Sequence, residues 1–235
     1  METVLITGAS RGLGYELLKV YSIHDYITFP IVRTEEAFER LKYEFQGKCY
    51  PILADLTLDS SINHIKSEVS KQTDELDILI NNAGISGTEY LIETVRTKEV
   101  NSLFDIHCLG PIRAVQSCIS LLKQSDNPRI VNVSSRLGSI TKMASGEFSD
   151  RDFSYSYRMV KAAQNMFTVC LSHELQGNNI SVNAIHPGVL LTRGGSSDSN
   201  MYPEEAASNI YEWIKTLNKS TTGQFVQPSI GKLPW

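Results

Sequence analysis

Tyr157 and Lys161 stand four residues apart in Tyr157-Arg158-Met159-Val160-Lys161, a spacing that puts both on one face of a helix. An ammonium beside a phenol favours the phenolate and draws the phenol's pKa toward neutrality. A tyrosine so placed gives a proton to a carbonyl oxygen or takes one from an alcohol. Tyr155 stands six before Lys161, off that face, and reads as a packing or substrate-wall residue. A tyrosine-lysine pair at this spacing is common, so the rest of the chain must supply its context.

That context begins with Thr7-Gly8-Ala9-Ser10-Arg11-Gly12-Leu13-Gly14. Gly8 permits a tight turn after a strand, Gly12 lets backbone approach a pyrophosphate, and Gly14 lets helix and strand pack closely. The helix that follows offers unpaired N–H groups to phosphates. The spacing GxxxGxG differs from the commoner GxGxxG, and no GK[ST] follows, which excludes a P-loop. The next strand ends in Val32-Arg33, where a site for NAD would carry a carboxylate against the ribose 2′-hydroxyl. A guanidinium there pairs in two-pronged fashion with a 2′-phosphate, and Arg11 can flank the same group. The two arginines predict NADP(H). Asp55 is placed to accept from the adenine amino group or to cap the next helix.

These residues need a scaffold, and the hydrophobic pattern supplies one. Short apolar runs at 3–7, 27–32, 48–53, 76–80, 129–133, 180–185 and 224–226 read as seven strands. Helical periodicity fills 12–21, 35–45, 58–71, 97–124, 155–176 and 203–218 between them. Strands apolar on both faces belong to a parallel sheet covered by helices. The expected fold is α/β, a Rossmann-type doubly wound sheet with strand order 3-2-1-4-5-6-7 and helices on both faces. Pro30 predicts a distortion in the second strand. No linker, repeat or low-complexity tract divides the chain, so one domain over 1–235 is expected. Two long stretches, 135–154 and 190–202, follow strand ends where such sheets bind ligands, and the second is rich enough in glycine and serine to serve as a lid.

Composition excludes other classes. The chain has 235 residues, 41% hydrophobic and 20% charged, enough for a full core. A net charge of −4 without a basic stripe argues against nucleic acid as a partner. The four cysteines form no CxxC pair and read as buried thiols in a reducing compartment. The five histidines form no metal-binding cluster such as HExxH. The N-terminal run lacks the pattern of a signal peptide, and no stretch reaches 18 apolar residues, so a cytoplasmic location and no membrane span are expected.

Taken in order, the motifs resemble the short-chain dehydrogenase/reductase family over essentially the whole chain. TGASRGLG is similar to that family's cofactor turn and Asn81-Asn82-Ala83-Gly84 to its NNAG motif. Asn132-Val133-Ser134-Ser135 is similar to the strand ending in its catalytic serine, which falls on Ser135, before Arg136-Leu137-Gly138. Tyr157 and Lys161 match its catalytic pair. SRLGSI, YSYRMVKAAQNM and GKLPW carry a narrower likeness to a carbonyl-reductase-like branch. The resemblance implies a cofactor wall of Gly8, Ser10, Arg11, Gly12, Leu13, Arg33, Asp55, Leu56, Asn81, Ala83, Gly84, Tyr157, Lys161, Pro187, Gly188, Val189 and Thr192. It implies hydride transfer from NADPH to a small-molecule carbonyl, with Tyr157 as proton donor, Ser135 on the same oxygen and Lys161 on the nicotinamide ribose. It also implies pairing through the long helices, as a homodimer or homotetramer.

One position departs. Where the family has an asparagine that anchors a water-linked proton relay, this chain has His107. The histidine can stand in as a relay member that titrates near neutrality, can signal reduced activity, or can simply pack. A nucleotide-bound regulatory or signalling protein with little turnover is therefore the second functional reading.

Overall fold

Thr3–Thr7 (β1) is apolar, β-branched and buried along its length, the character of a strand covered on both faces. The computed structural model describes residues 1–149, 154–191 and 199–235. Around β1 lie Ile27–Val32 (β2), Ile52–Leu53 (β3), Ile78–Asn81 (β4), Arg129–Val133 (β5), Ser181–Ile185 (β6), Phe225–Gln227 (β7) and Gly231–Lys232 (β8). They form a sheet in the order β3-β2-β1-β4-β5-β6-β7-β8, parallel except for β8. The reversal between β1 and β4 opens a crevice at the carboxyl ends of the strands. The Rossmann-type order is the expected one, extended by an eighth, antiparallel strand. Two paired residues after a tight turn carry no hydrophobic period, so sequence reading passed over β8.

Alternation sorts the core into two layers. Val4, Ile6, Ile78, Ile80 and Val131 face helices Gly12–Ile23 (α1), Glu35–Glu44 (α2) and Pro203–Lys215 (α8). Leu5, Leu79, Ile130 and Val182 face Ser60–Ser70 (α3), Gly110–Leu122 (α5) and Tyr155–Leu175 (α7).

The helix expected over 97–124 is divided. Thr97–Phe104 (α4) leads into a π turn, Asp105–Leu109, before α5 begins. Pro111 is the physical reason. It has no N–H for the carbonyl four residues back, that of His107, and its ring crowds that carbonyl. The Gly110 amide reaches back five residues to Asp105 instead. The wider turn sends His107 and Cys108 inward.

Pro30 does not break β2, which runs uninterrupted in register with β1. Thr28 and Val32 both bond toward the β3 side, so Pro30, between them, lacks its donor on that side. Pairing there is interrupted, with an isolated bridge of Thr28 to Cys49 before Pro30 and the pairs Ile31 with Ile52 and Val32 with Leu53 after it, and β3 is shorter than the expected 48–53. The stretch after β5 is not a bare loop either: it holds a short turn of 3-10 helix over 136–138 and a helix, Ile140–Ala144 (α6). All four cysteines are free, but Cys170 is exposed and Cys49 only half-buried, against the expectation of four buried thiols.

Candidate active site

The turn after β1 is fastened from beneath. Gly8 takes φ +69°, and a Cβ there would meet the Ala83 backbone at 2.8 Å. The Thr7 hydroxyl accepts from the amides of Asn82 and Ala83, both at 3.0 Å, while the Asn82 side chain donates to the carbonyls of Thr7 at 3.0 Å and Gly8 at 3.2 Å. Asn82 is thus the joint between the two motifs. Asn81 points elsewhere, donating to Asn132 at 2.8 Å, and does not line the cavity above the turn. Arg40, unmarked by any motif, donates to the Ser10 carbonyl and steadies the turn from α2.

That cavity, about 810 Å³, runs along the carboxyl ends of the strands. One end is lined by Gly8, Ser10, Arg11, Gly12, Leu13, Arg33, Asp55 and Leu56. Arg11 and Arg33 are exposed. The first turn of α1 has neither a side-chain cap nor an acidic residue, so its N–H groups lack side-chain acceptors there, and an anion is their natural complement. Asp55 lines the cavity while one oxygen accepts from the Thr57 amide at 2.9 Å and hydroxyl at 2.8 Å. These features fit a phosphorylated dinucleotide.

The middle carries Ala83 and Gly84, and the far end carries Ser134, Tyr157, Lys161, His107, Ile85, Ile106 and Pro187. Of the segment after β6, Leu190 and Leu191 line the cavity rather than Gly188 and Val189. Gly188, at φ +101°, lies against Met201. Thr192 and most of the expected lid, residues 192–198, lie outside the described residues.

At the far end the Tyr157 hydroxyl has Ser135 as its neighbour, a side chain that works to lower the phenol's pKa. The Ser135 hydroxyl accepts from the Leu137 amide at 3.2 Å, and Ser135 is not itself among the residues lining the cavity. Ser134 is committed elsewhere, donating to Asn165 at 2.6 Å. Gly138 lets the turn after Ser135 press onto α7, since a Cβ there would meet the Lys161 backbone at 2.7 Å. Lys161 is buried beneath the Tyr157 ring, its Nζ 5.7 Å from the ring centre, donating to the Val133 carbonyl at 2.7 Å and to Gln164 at 2.9 Å. Burial, slightly offset by the Cys108 sulfur, brings its pKa down to about 7. The Tyr157 phenol lies above its ordinary value, because burial outweighs the hydrogen bond from Ser135. The expected depression of the phenol by Lys161 is not among the influences on it: the ammonium is itself desolvated, which works against its charge. Tyr155 is exposed and lines no part of the cavity.

His107 is buried, its ring edge-on to Tyr157 with centres 5.6 Å apart. Its Nε2 lies 2.8 Å from the Ile85 carbonyl and 3.2 Å from the Ile85 amide; the shorter contact favours Nε2 as donor, which leaves Nδ1 as a buried acceptor without a partner. Burial and the nearby Lys161 push its pKa down to about 3. A ring so held favours the neutral form, which speaks for packing or a fixed hydrogen-bonding role over a relay member that titrates near neutrality.

A profile of the family described as short chain dehydrogenase matches residues 2–202. The chain belongs to the short-chain dehydrogenase/reductase family. It falls in the carbonyl-reductase-like branch and so is by family a nicotinamide-nucleotide oxidoreductase. It is 31% identical to C-signal of Myxococcus xanthus over 163 residues, 69% of this chain and 95% of that one. The carbonyl reductase Sniffer of D. melanogaster superposes with a TM-score of 0.87 at 27% identity, covering 100% of both chains. An NADPH-bound carbonyl reductase from chicken fatty liver shares the fold with a TM-score of 0.90 at 24% identity, over 100% of this chain and 99% of that one. No helix among the described residues is long and apolar enough to cross a membrane.

Proposed function

We propose that this protein reduces a small carbonyl compound to an alcohol with NADPH, as a single domain. The observation that carries the reading is the far end of the cavity, where Tyr157 lines the wall with buried Lys161 5.7 Å from its ring centre and Ser135 as a neighbour of the phenol. When bound, the nicotinamide supplies the hydride. Tyr157 gives its proton to the carbonyl oxygen as negative charge develops there, and Ser135 donates to the same oxygen. Lys161, deprived of solvent, takes the ribose hydroxyls as partners and, once charged, lowers the cost of the phenolate that Tyr157 becomes. His107 serves as a fixed neutral member: Nε2 holds the Ile85 segment, and Nδ1 offers an acceptor beside Lys161. Gly8, Ser10, Gly12 and Leu13 cradle the pyrophosphate, Asp55 and Leu56 border the adenine, and Ala83, Gly84 and Pro187 line the path between. The likeness to Sniffer, a carbonyl reductase, at 27% identity over the whole of both chains favours the same chemistry.

Cofactor oxidation followed spectrophotometrically over a panel of aldehydes and ketones tests the reading. Turnover that needs both NADPH and a carbonyl supports it. Tight NADPH binding with no turnover on any member would instead favour the nucleotide-bound regulator. The cofactor choice rests on Arg33 and Arg11. Arg33→Ala should weaken NADPH by about tenfold, the worth of one charge-assisted contact, and leave NADH unchanged. Equal weakening of both nucleotides in titrations would remove the 2′-phosphate from the argument.

A further inference from the structure

Glu99 lies in the first turn of α4, outside the cavity, and no motif marks it. Its half-buried carboxylate nonetheless gathers three segments. One oxygen accepts from the Thr88 amide at 3.1 Å and hydroxyl at 2.5 Å; the other accepts from the Ser156 hydroxyl and from the Glu89 amide at 3.4 Å, with the Ser154 oxygen 3.4 Å away. Ser154 and Ser156 are buried at the start of α7, and the Ser154 hydroxyl accepts from the Tyr157 amide at 3.3 Å. The Tyr155 amide donates to the Glu89 carbonyl, closing the same knot. Gly87 must lack a side chain for it to form, since a Cβ there would lie 2.0 Å from Ser154 Oγ.

The donor directions follow from counting protons. A carboxylate only accepts, so Ser156 spends its one proton on Glu99. In the 2.7 Å contact between the two serines, Ser154 must then be the donor. The bonds therefore run one way, from the Tyr157 amide to Ser154, to Ser156, to Glu99. Such chains strengthen each other by polarisation when they end on a charge. Burial alone would raise the Glu99 carboxyl, but the Ser156 and Thr88 hydrogen bonds outweigh it and bring its pKa down to about 2, so the chain ends on a charge at every working pH.

We propose that Glu99 is a positioning residue for Tyr157, acting through this hydrogen-bonded chain to fix the first turn of the catalytic helix against the segment after β4. The proposal rests on the reading of Tyr157 as the proton donor. Every group that faces Glu99 in the chain is a donor, so Glu99→Gln sets an NH₂ against donors while keeping the side chain's size. Ser156→Ala cuts the same chain one link nearer Tyr157.

The experiment takes the full chain with NADPH and compares wild type, Glu99→Gln, Ser156→Ala and the double variant. It measures kcat and KM, NADPH dissociation by titration, and hydrogen exchange in the peptide spanning 154–160. In Glu99→Gln, kcat should fall roughly ten- to a hundredfold, as for a slightly misplaced catalytic group. NADPH affinity should stay within about twofold, since the cofactor contacts lie elsewhere. Exchange over 154–160 should quicken, and the double variant should be no slower than its slower parent. Unchanged kcat in a folded Glu99→Gln, unchanged exchange, or losses that multiply in the double variant would overturn the proposal. Should Glu99→Gln not fold, Ser156→Ala decides by the same measures. Should wild type turn over no carbonyl, the proposed activity falls, and hydrogen exchange alone decides the positioning role: faster exchange in the variants upholds it, and unchanged exchange ends it.

Discussion

At the amino ends of the strands, Asp77 accepts from the Thr3 amide at 2.7 Å, the Thr3 hydroxyl at 2.9 Å and the Ser125 hydroxyl at 2.5 Å, and buried Arg129 pairs with Glu2. At the carboxyl ends, Lys161 is as deeply buried, yet among the described residues no carboxylate faces it. His107 there keeps an acceptor without a partner. The two ends belong to the same strands and share one core, so the contrast is not one of burial. Most polar groups at the amino end answer one another and hold the sheet, although the buried Arg129 Nε has no partner. Those at the carboxyl end are left incomplete, and a cofactor and substrate would complete them. Strained or unsatisfied groups are what a binding site requires and a scaffold avoids.

Variants at the two ends should therefore fail in different ways. The largest expected effect is on turnover. Tyr157→Phe keeps the ring and removes the hydroxyl, and should lower kcat at least about a hundredfold with NADPH binding retained. Near-normal turnover would strip Tyr157 of its role. Next comes stability at the other end. Asp77→Ala strands the buried Thr3 amide and hydroxyl and the half-buried Ser125 hydroxyl, and should cost about 3 kcal/mol in urea unfolding, with kcat per folded molecule unchanged. A loss of activity without a loss of stability would erase the distinction between the ends.

Smaller effects sharpen it. Lys161 titrates near 7 in the folded chain against 10.5 as its ordinary value. Between those pH values the unfolded chain holds a proton that the folded one does not, so stability rises with pH across the window and is lowest below about 7. Lys161→Met, inactive, escapes this dependence. Its melting temperature relative to wild type should be most favourable below pH 7 and decline toward pH 10.5. A constant difference would show that the ammonium is not desolvated. Smallest of all is the effect of His107→Asn on the pH dependence of kcat. A ring held down to about 3 stays neutral, so the normalised profiles should superimpose from about pH 5.5 to 9. A limb present in wild type and missing from the variant would restore the titrating relay.

The alternation behind the sheet and the pairing of Tyr157 with Lys161 were legible because each depends on local pattern: apolar runs of the right length, and a four-residue helical spacing. Ser135 was legible only through the resemblance to the family's strand-end serine. The π turn was not, because it arises from what Pro111 withholds from a residue one turn earlier. Nor was the division of labour between Asn81 and Asn82, since neighbouring residues on a strand end point to opposite sides and the motif names both. Leu190 and Leu191 look like any apolar pair until they are seen beside Met201, which bridges to Leu190 and accepts from the Leu191 amide. Glu99 sits where any helix welcomes a carboxylate, so only three-dimensional proximity to Ser156 and Thr88 distinguishes it. The phenol's raised pKa was illegible for a different reason: spacing shows that a charge is near, not whether solvent has been taken from it.

The margins of the sheet carry a last consequence. On one side β3 offers two paired residues beside Pro30 and directly after Pro51; on the other β8 offers two. Neither margin presents a long row of free amides and carbonyls, the template on which sheets of separate molecules fuse. Growth by edge-to-edge pairing is therefore blunted at both borders, with proline guarding one and brevity the other. Crowded solutions of this protein should resist fibrous association, and copies that do meet have helix faces to meet through, such as the outward side of α7 with Met159 and Met166.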